Sequence, residues 1–273
     1  MKKILVPVDY SDTSLNALNY AIRLFESQSL EITILHTCNV IRASAFSMKM
    51  KSINRVMKED AEREMENLIM RLEEQEPDVI FKSRIINSNA TSGITQLGDS
   101  GNYDFIVMGT KGASGLKEVF IGSVAGWVIS KTKAPVIVVP GSYRYQPLKE
   151  IVCAISGNFL SNATVLDPLR KLAAMHSCNI NLLHISEDEE EEGDYEAVME
   201  QMIEILDDFD PTLTYAPDIG DVNESMNTFI KKQDAGLLCL VRGKKGYLNR
   251  LFFESVTLKQ TFNSIIPLLI LHN

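Results

Sequence analysis

Cysteine is scarce in this 273-residue chain, and none of it is paired in the sequence. Cys38, Cys153, Cys178 and Cys239 stand far apart, and no two form a CxxC. That spacing excludes a structural zinc site and fits a reducing compartment, where thiols behave as small apolar side chains. Long hydrophobic runs are missing as well: no segment has 18 uninterrupted apolar residues, so no transmembrane helix is expected. After Met1, Lys2 and Lys3 the apolar stretch Ile4–Val8 is closed at once by Asp9. It is too short for a signal-peptide core and has no small-residue cleavage site after it, so the cytoplasm is the expected location. A basic excess is lacking too. Against 27 Lys and Arg stand 36 Asp and Glu, a net charge of −9, which argues against a nucleic-acid or anionic-membrane surface. No Ser/His/Asp set, Walker A lysine motif or metal-ligand cluster is visible, so no catalytic residue and no protein metal site is assigned.

What is present is an ordinary globular composition, with 45% hydrophobic and 23% charged residues. The length favours two domains of about 135 residues each. The charge is divided unevenly: residues 1–145 carry a net +1 and residues 146–273 a net −10. The two halves repeat five landmarks in the same order. Ile4–Val8 is echoed by Ile151–Ile155, Ile32–His36 by Ile180–His184, and Ile106–Gly112 by Leu240–Gly246. Val119–Val124 is echoed by Leu251–Val256, and Pro135–Val139 by Pro267–Leu271. The boundary falls in Gly141–Leu148, which sets domains at 1–143 and 149–273.

Continuous β-branched runs predict strands at 4–9, 31–37, 81–87, 105–109 and 136–140, covered on both faces as in a parallel sheet. Between them Ser11 caps a helix carrying Leu15, Leu18, Ile22 and Phe25. A second helix over 53–76 carries Val56, Met65, Leu68, Ile69 and Leu72, and a charge-rich solvated face. A third, over 91–101, carries Ile94 and Leu97. The fourth starts at Ser123 with Val124, Trp127 and Val128, and Trp127 is read as core. Strand–helix alternation makes the fold class α/β, two tandem doubly wound domains with a parallel sheet flanked by helices.

The stretch that carries chemistry is Gly109-Thr110-Lys111-Gly112, nine residues, then Gly122-Ser123. Two glycines behind a strand let the chain turn and let a ligand approach the backbone. Gly122-Ser123 opens a helix whose N–H groups and dipole favour an anion, and the Ser123 hydroxyl caps the helix or donates to a phosphate. Asp9 lies at the carboxyl end of the first strand, where open α/β sheets bind ligands. A carboxylate there suits a ribose hydroxyl, an adenine amino group or a metal ion. His36, repeated as His184 at a strand end, reads as structural.

Val6-Pro7-Val8-Asp9-Tyr10-Ser11, the Leu35-His36 strand end, and Gly-x2-Gly-x9-Gly-Ser running to Ala134–Val139 resemble a universal stress protein, twice in tandem. The resemblance implies a five-stranded parallel sheet per domain in the order 3-2-1-4-5. It implies fifth strands, 136–140 and 268–272, that pair across the domains in an intrachain pseudo-dimer, with a homodimer of the whole chain as a further assembly. It implies a cytoplasmic, regulatory stress-response module binding ATP or another adenine nucleotide, with Mg²⁺ or Mn²⁺ held through the phosphates. Gly109, Gly112, Gly122, Ser123 and Val124 would line the phosphates, with Lys111 assisting. Asp9 would contact the nucleoside, Thr37 would offer backbone atoms to adenine, and Pro7 and Met108 would pack near base and ribose.

The second copy departs at these positions. Ser156 stands for Asp9, Glu254 stands for Gly122, and seven residues separate Gly246 from Glu254 where the first copy has nine. Glu187–Asp194 places seven acids in eight positions after the strand that corresponds to the adenine-framing one. A nucleotide is therefore expected in the first domain only, with at most weak hydrolysis. The alternative is an interaction module whose acidic second domain recruits an unidentified regulatory protein independently of nucleotide. A nucleotidyl-transferring or thiolating enzyme of related fold is the third reading, against which stands the lack of an SGGxDS-like loop after the first strand.

Overall fold

The computed structural model describes residues 1–38, 48–110, 123–154, 160–186, 192–217, 222–242 and 264–273. The first half runs β1 (Lys2–Pro7), α1 (Asp12–Phe25), β2 (Leu30–Cys38), α2 (Met48–Gln75), β3 (Val79–Asn87), α3 (Ala90–Gly98), β4 (Phe105–Gly109), α4 (Ser123–Lys131) and β5 (Val136–Val139). The second runs β6 (Glu150–Ala154), α5 (Asp167–His176), β7 (Asn179–Ser186), α6 (Glu192–Ile205), β8 (Thr212–Pro217), α7 (Val222–Gln233), β9 (Leu237–Arg242) and β10 (Leu268–His272), with short 3-10 turns before α5 and after α6.

The two sets of five strands are not separate sheets. They form one ten-stranded sheet in the order β3-β2-β1-β4-β5-β10-β9-β6-β7-β8. The join is β5 against β10, the one antiparallel pair among the described strands, with Val138 opposite Leu268 and Ile137 opposite Leu269. All four side chains are buried. Pairing the two fifth strands removes two apolar edges that would otherwise template aggregation.

Period-2 alternation divides the core between the two faces. Ile4, Val6, Ile32, Ile34, Phe105 and Val107 face α1 and α2. Leu5, Leu35, Ile106 and Met108 face α3 and α4. In α1 the Ser11 hydroxyl accepts the Ser14 N–H, and Leu18, Ile22 and Phe25 are buried as the apolar spacing requires.

Three expectations need correction. The second helix starts at Met48, five residues before 53, and among its described side chains Ala61, Met65, Leu68 and Leu72 are buried, with Ile69 packed against the core in part. Val56 is 49% exposed. Before Ala61 the helix has passed the sheet, and pairs such as Arg55–Glu59 and Lys58–Glu62 support it instead of a core. Trp127 is 51% exposed, with the Lys131 ammonium 5.6 Å from its ring, because α4 turns Ala125, Val128 and Ile129 inward. Finally, the acidic run does not end before the next element: Glu192 and Asp194 belong to α6.

Candidate functional site

The strand order reverses between β1 and β4, since the chain winds outward to β2 and β3 and then returns to the other side of β1. Such a reversal opens a crevice at the carboxyl ends of the two strands. Pro7 ends β1 and Gly109 ends β4 at this place.

A tight turn leaves β1. Tyr10 sits in the left-handed region at φ 59, a conformation that costs a non-glycine residue about 1–2 kcal/mol. Its surroundings hold it there. The Tyr10 ring lies 4.9 Å from the His36 ring, and its hydroxyl donates to the Ala61 carbonyl at 3.3 Å. His36 Nδ1 in turn donates to the Val8 carbonyl at 2.9 Å. His36 is therefore the structural residue expected, bracing the end of β1 from β2. Burial, with smaller contributions from Glu64 and Cys38, pushes the Tyr10 hydroxyl up to about 12. Tyr10 was only one letter of a motif in the sequence; nothing there marked its backbone as strained.

The turn holds Asp9 out at the end of the sheet, exposed. Its Oδ1 accepts both the Ser11 N–H at 3.2 Å and the Ser11 hydroxyl at 2.5 Å. The Asp9 N–H donates to Ser14 Oγ at 3.3 Å. Asp9 thus orients the capping serine of α1 while keeping its carboxylate at the crevice mouth.

Thr37 also faces this space. The Val8 N–H donates to the Leu35 carbonyl at 2.8 Å, so the odd-numbered residues of β2 turn their backbone groups toward β1. Two residues further on, β1 has turned away at Asp9, and the Thr37 backbone meets the vacated space. A Cβ on Gly93 of α3 would stand 3.1 Å from Thr37 Cγ2, so α3 presses closely on this strand end. Pro7 shares the face of Leu5 by alternation. Met108 lies on the same face but is buried under α4.

Gly109 has a packing reason to be glycine. A Cβ there would lie 2.7 Å from Thr13 Cγ2 and 2.9 Å from the Thr13 carbonyl oxygen, because the first turn of α1 crosses directly over it. Thr110 is buried and gives its N–H to the Val139 carbonyl at 3.1 Å. Ser123 and Val124 open α4 and are exposed. Lys111, Gly112 and Gly122 lie outside the described residues, as do Ser156, Gly243, Gly246, Glu254 and Ser255. Among the described residues no group of three His, Cys, Asp or Glu could hold a metal ion, and no helix is long and apolar enough to cross a membrane.

The corresponding place in the second half is built differently. α1 begins five residues after β1 ends, whereas α5 begins thirteen residues after β6 ends. Leu160, within that longer connection, is buried. Both its backbone groups bond the Gln201 amide of α6, at 2.9 and 3.2 Å. The next N–H, of Ser161, donates to Asn273 Oδ1 at 2.5 Å. The sequence repeat hid this insertion because the strands on either side of it match.

Residues 1–140 match the model of the universal stress protein family. The chain belongs to that family. Among curated universal stress proteins, MJ0577 of Methanocaldococcus jannaschii is 31% identical over 156 residues, covering 50% of this chain and 94% of that protein. A solved universal stress protein from Archaeoglobus fulgidus DSM 4304, 18% identical, covers 98% of this chain and 95% of its own with a TM-score of 0.68. It shares the fold over both halves. Another universal stress protein is solved in complex with cAMP; it is 16% identical and covers 46% of this chain and 98% of its own, with a TM-score of 0.34.

Proposed function

We propose that this universal stress protein binds an adenine nucleotide, ATP foremost, at the carboxyl end of β1 and β4, and that its second half does not. The observation that carries the reading is the strained β1–α1 turn. A left-handed tyrosine braced from two elements projects Asp9 into the crevice beside the Thr37 backbone, and unfavourable backbone conformations concentrate at ligand sites. Residues 1–143 form the nucleotide-binding domain, and residues 149–273 a degenerate one, packed as a pseudo-dimer through β5 and β10. In the second half the strand corresponding to β1 is followed by a longer connection, in which Leu160 is buried.

Asp9 holds the nucleoside, Thr37 offers backbone groups to the base, and Pro7 and Met108 floor the site. Gly109, Gly112, Gly122, Ser123 and Val124 surround the phosphates at the start of α4, with Lys111 nearby. The described carboxylates form no metal cluster, so Mg²⁺ or Mn²⁺ rides on phosphate oxygens and water. The sequence identifies no base for an attacking water. The role is therefore binding and regulation in the cytoplasm, with turnover far below the usual enzymatic range.

The test is equilibrium dialysis of ATP with Mg²⁺ against the intact chain. One nucleotide per chain is expected. Asp9→Ala removes a charged hydrogen bond of about 1.5–3 kcal/mol, which weakens binding roughly tenfold to a hundredfold. Gly122→Glu abolishes binding by repelling the phosphates. Two nucleotides per chain, or unchanged affinity in Asp9→Ala with its circular dichroism intact, overturns the proposal.

A further inference from the structure

β3 ends the sheet. β2 pairs with all nine of its residues, and among the described residues no strand lies on its other side. Each face of this edge opens into a groove. Toward α2, a groove of about 240 Å³ has an apolar floor of Met65, Ile69 and Ile85 and a rim of Glu62, Glu66 and Glu73. On the opposite face, a groove of about 370 Å³ is lined by Lys3, Lys82, Arg84 and Thr33 together with the buried Glu31. Lys82 meets the Glu31 carboxylate at 2.8 Å, which leaves the lane with a surplus of positive charge. The second groove exists because α3 is only nine residues long and covers the carboxyl half of the strands. One edge strand thus separates a negative, apolar-floored lane from a positive one.

We infer that the β3 edge is a docking site for an extended segment of a partner protein in which basic or aliphatic residues alternate with acidic ones. A strand added to an edge bonds through its backbone and sends successive side chains to opposite faces. Here those faces ask for opposite charges. Residues facing α2 meet Glu62, Glu66 and Glu73; their neighbours in sequence meet Lys82 and Arg84. A second copy of this chain is a poor occupant. Antiparallel self-pairing centred on Ser83 sets Lys82 directly against Arg84 of the other copy, and like charges directly opposite are unfavourable. A docked helix reads only one lane. Charge on an edge strand deters indiscriminate pairing; here it also selects the partner.

The probe is a fluorescein-labelled, acetylated peptide with the sequence Lys-Glu-Val-Glu-Lys-Glu-Val, followed by anisotropy against the full chain at low salt. Two control peptides share its composition: one with the residues in blocks, one N-methylated at alternate backbone nitrogens. The alternating peptide should bind at least about tenfold more tightly than either control. Arg84→Glu and Glu66→Lys, both at exposed positions, should each weaken it about threefold or more, and the distant Lys171→Glu should leave it unchanged. Absence of binding overturns the proposal. So does equal binding of the block peptide, indifference to N-methylation, or Arg84→Glu behaving as Lys171→Glu. Nucleotide affinity is measured on the same variants; it should not move, which keeps this proposal separable from that of the ATP site.

Discussion

Gly109→Ala separates a glycine kept for packing from one kept for a ligand. An added Cβ meets two kinds of atom: Thr13 Cγ2 at 2.7 Å and the Thr13 carbonyl oxygen and carbon at 2.9 and 3.2 Å. The methyl can rotate away. The carbonyl belongs to the first turn of α1, so relief requires the helix to lift by several tenths of an ångström. Overpacking of this kind costs about 1–3 kcal/mol. Replacing glycine also restricts the unfolded chain, which returns about 0.4–1 kcal/mol. The net expectation is a loss of about 1–2 kcal/mol without any nucleotide present, or roughly 2–8 °C in Tm for a chain of this size.

Gly141 supplies the control. A Cβ there would meet Thr13 Oγ1 at 2.9 Å and Cγ2 at 3.4 Å, all side-chain atoms. Thr13→Ala should therefore relieve Gly141→Ala almost completely, to within about 0.5 kcal/mol, and relieve Gly109→Ala only in part. The assay is urea unfolding of the three single variants, the two doubles and the parent, with midpoints compared at a common slope. Gly109→Ala at or above parental stability would refute the reasoning, as would full rescue of it by Thr13→Ala.

Three further outcomes are expected. Tyr10, held near 12 against an ordinary value of 10.0, contributes stability that is complete below pH 10 and is lost as pH rises through about 12; Tyr10→Phe, with no hydroxyl to ionise, should lose less stability between pH 10 and 12 than the parent, and an identical alkaline profile counts against the buried hydroxyl. Burial raises the thiols of Cys38, Cys178 (to about 11) and Cys239, where Cys153 lies alongside, so a thiol reagent at neutral pH should react only as fast as the chain opens; rapid labelling of the native protein would contradict this. Ile137→Ala and Leu269→Ala, register partners across the β5–β10 join and fully buried, should each cost about 2–5 kcal/mol in urea unfolding and combine non-additively; losses below 0.5 kcal/mol would deny that the join is core.

The legible part of this protein was its periodicity. β-branched runs announced buried strands, and Ser11 followed by Leu18, Ile22 and Phe25 announced α1, because hydrophobic pattern and capping chemistry are local. What escaped was decided by how far each element reaches. Val56 continues the apolar spacing of α2 and Trp127 that of α4, yet both are exposed, since one lies past the sheet and the other on the outer side of its helix. Asp9 and Thr37 could be placed at strand ends from sequence. The left-handed Tyr10 and the Leu160 connection could not, because each depends on contacts with α2, α6 or the carboxyl terminus. Gly109 gains a second reason to be glycine: its spacing suggests a ligand, and its geometry shows the first turn of α1 pressing on it.

That pressure ties the candidate site to the junction between the halves. α1 starts at the turn that carries Asp9, covers Gly109 with Thr13, and one turn later extends Asn16 to the linker. The Asn16 amide donates to the Pro140 and Tyr143 carbonyls at 3.2 and 2.9 Å, and its oxygen accepts from Arg144 at 3.0 Å. Tyr20 packs edge-on against Tyr143 and Tyr145, and the Tyr143 hydroxyl reaches the Gly236 carbonyl before β9. The boundary segment Gly141–Leu148 is therefore bonded along α1 and across to the second half. A displacement of the first turn of α1, the element nearest Asp9, must strain these contacts before it can spread. The second half, through the Tyr143 contact with Gly236, thus helps to fix the helix on which the candidate site is built.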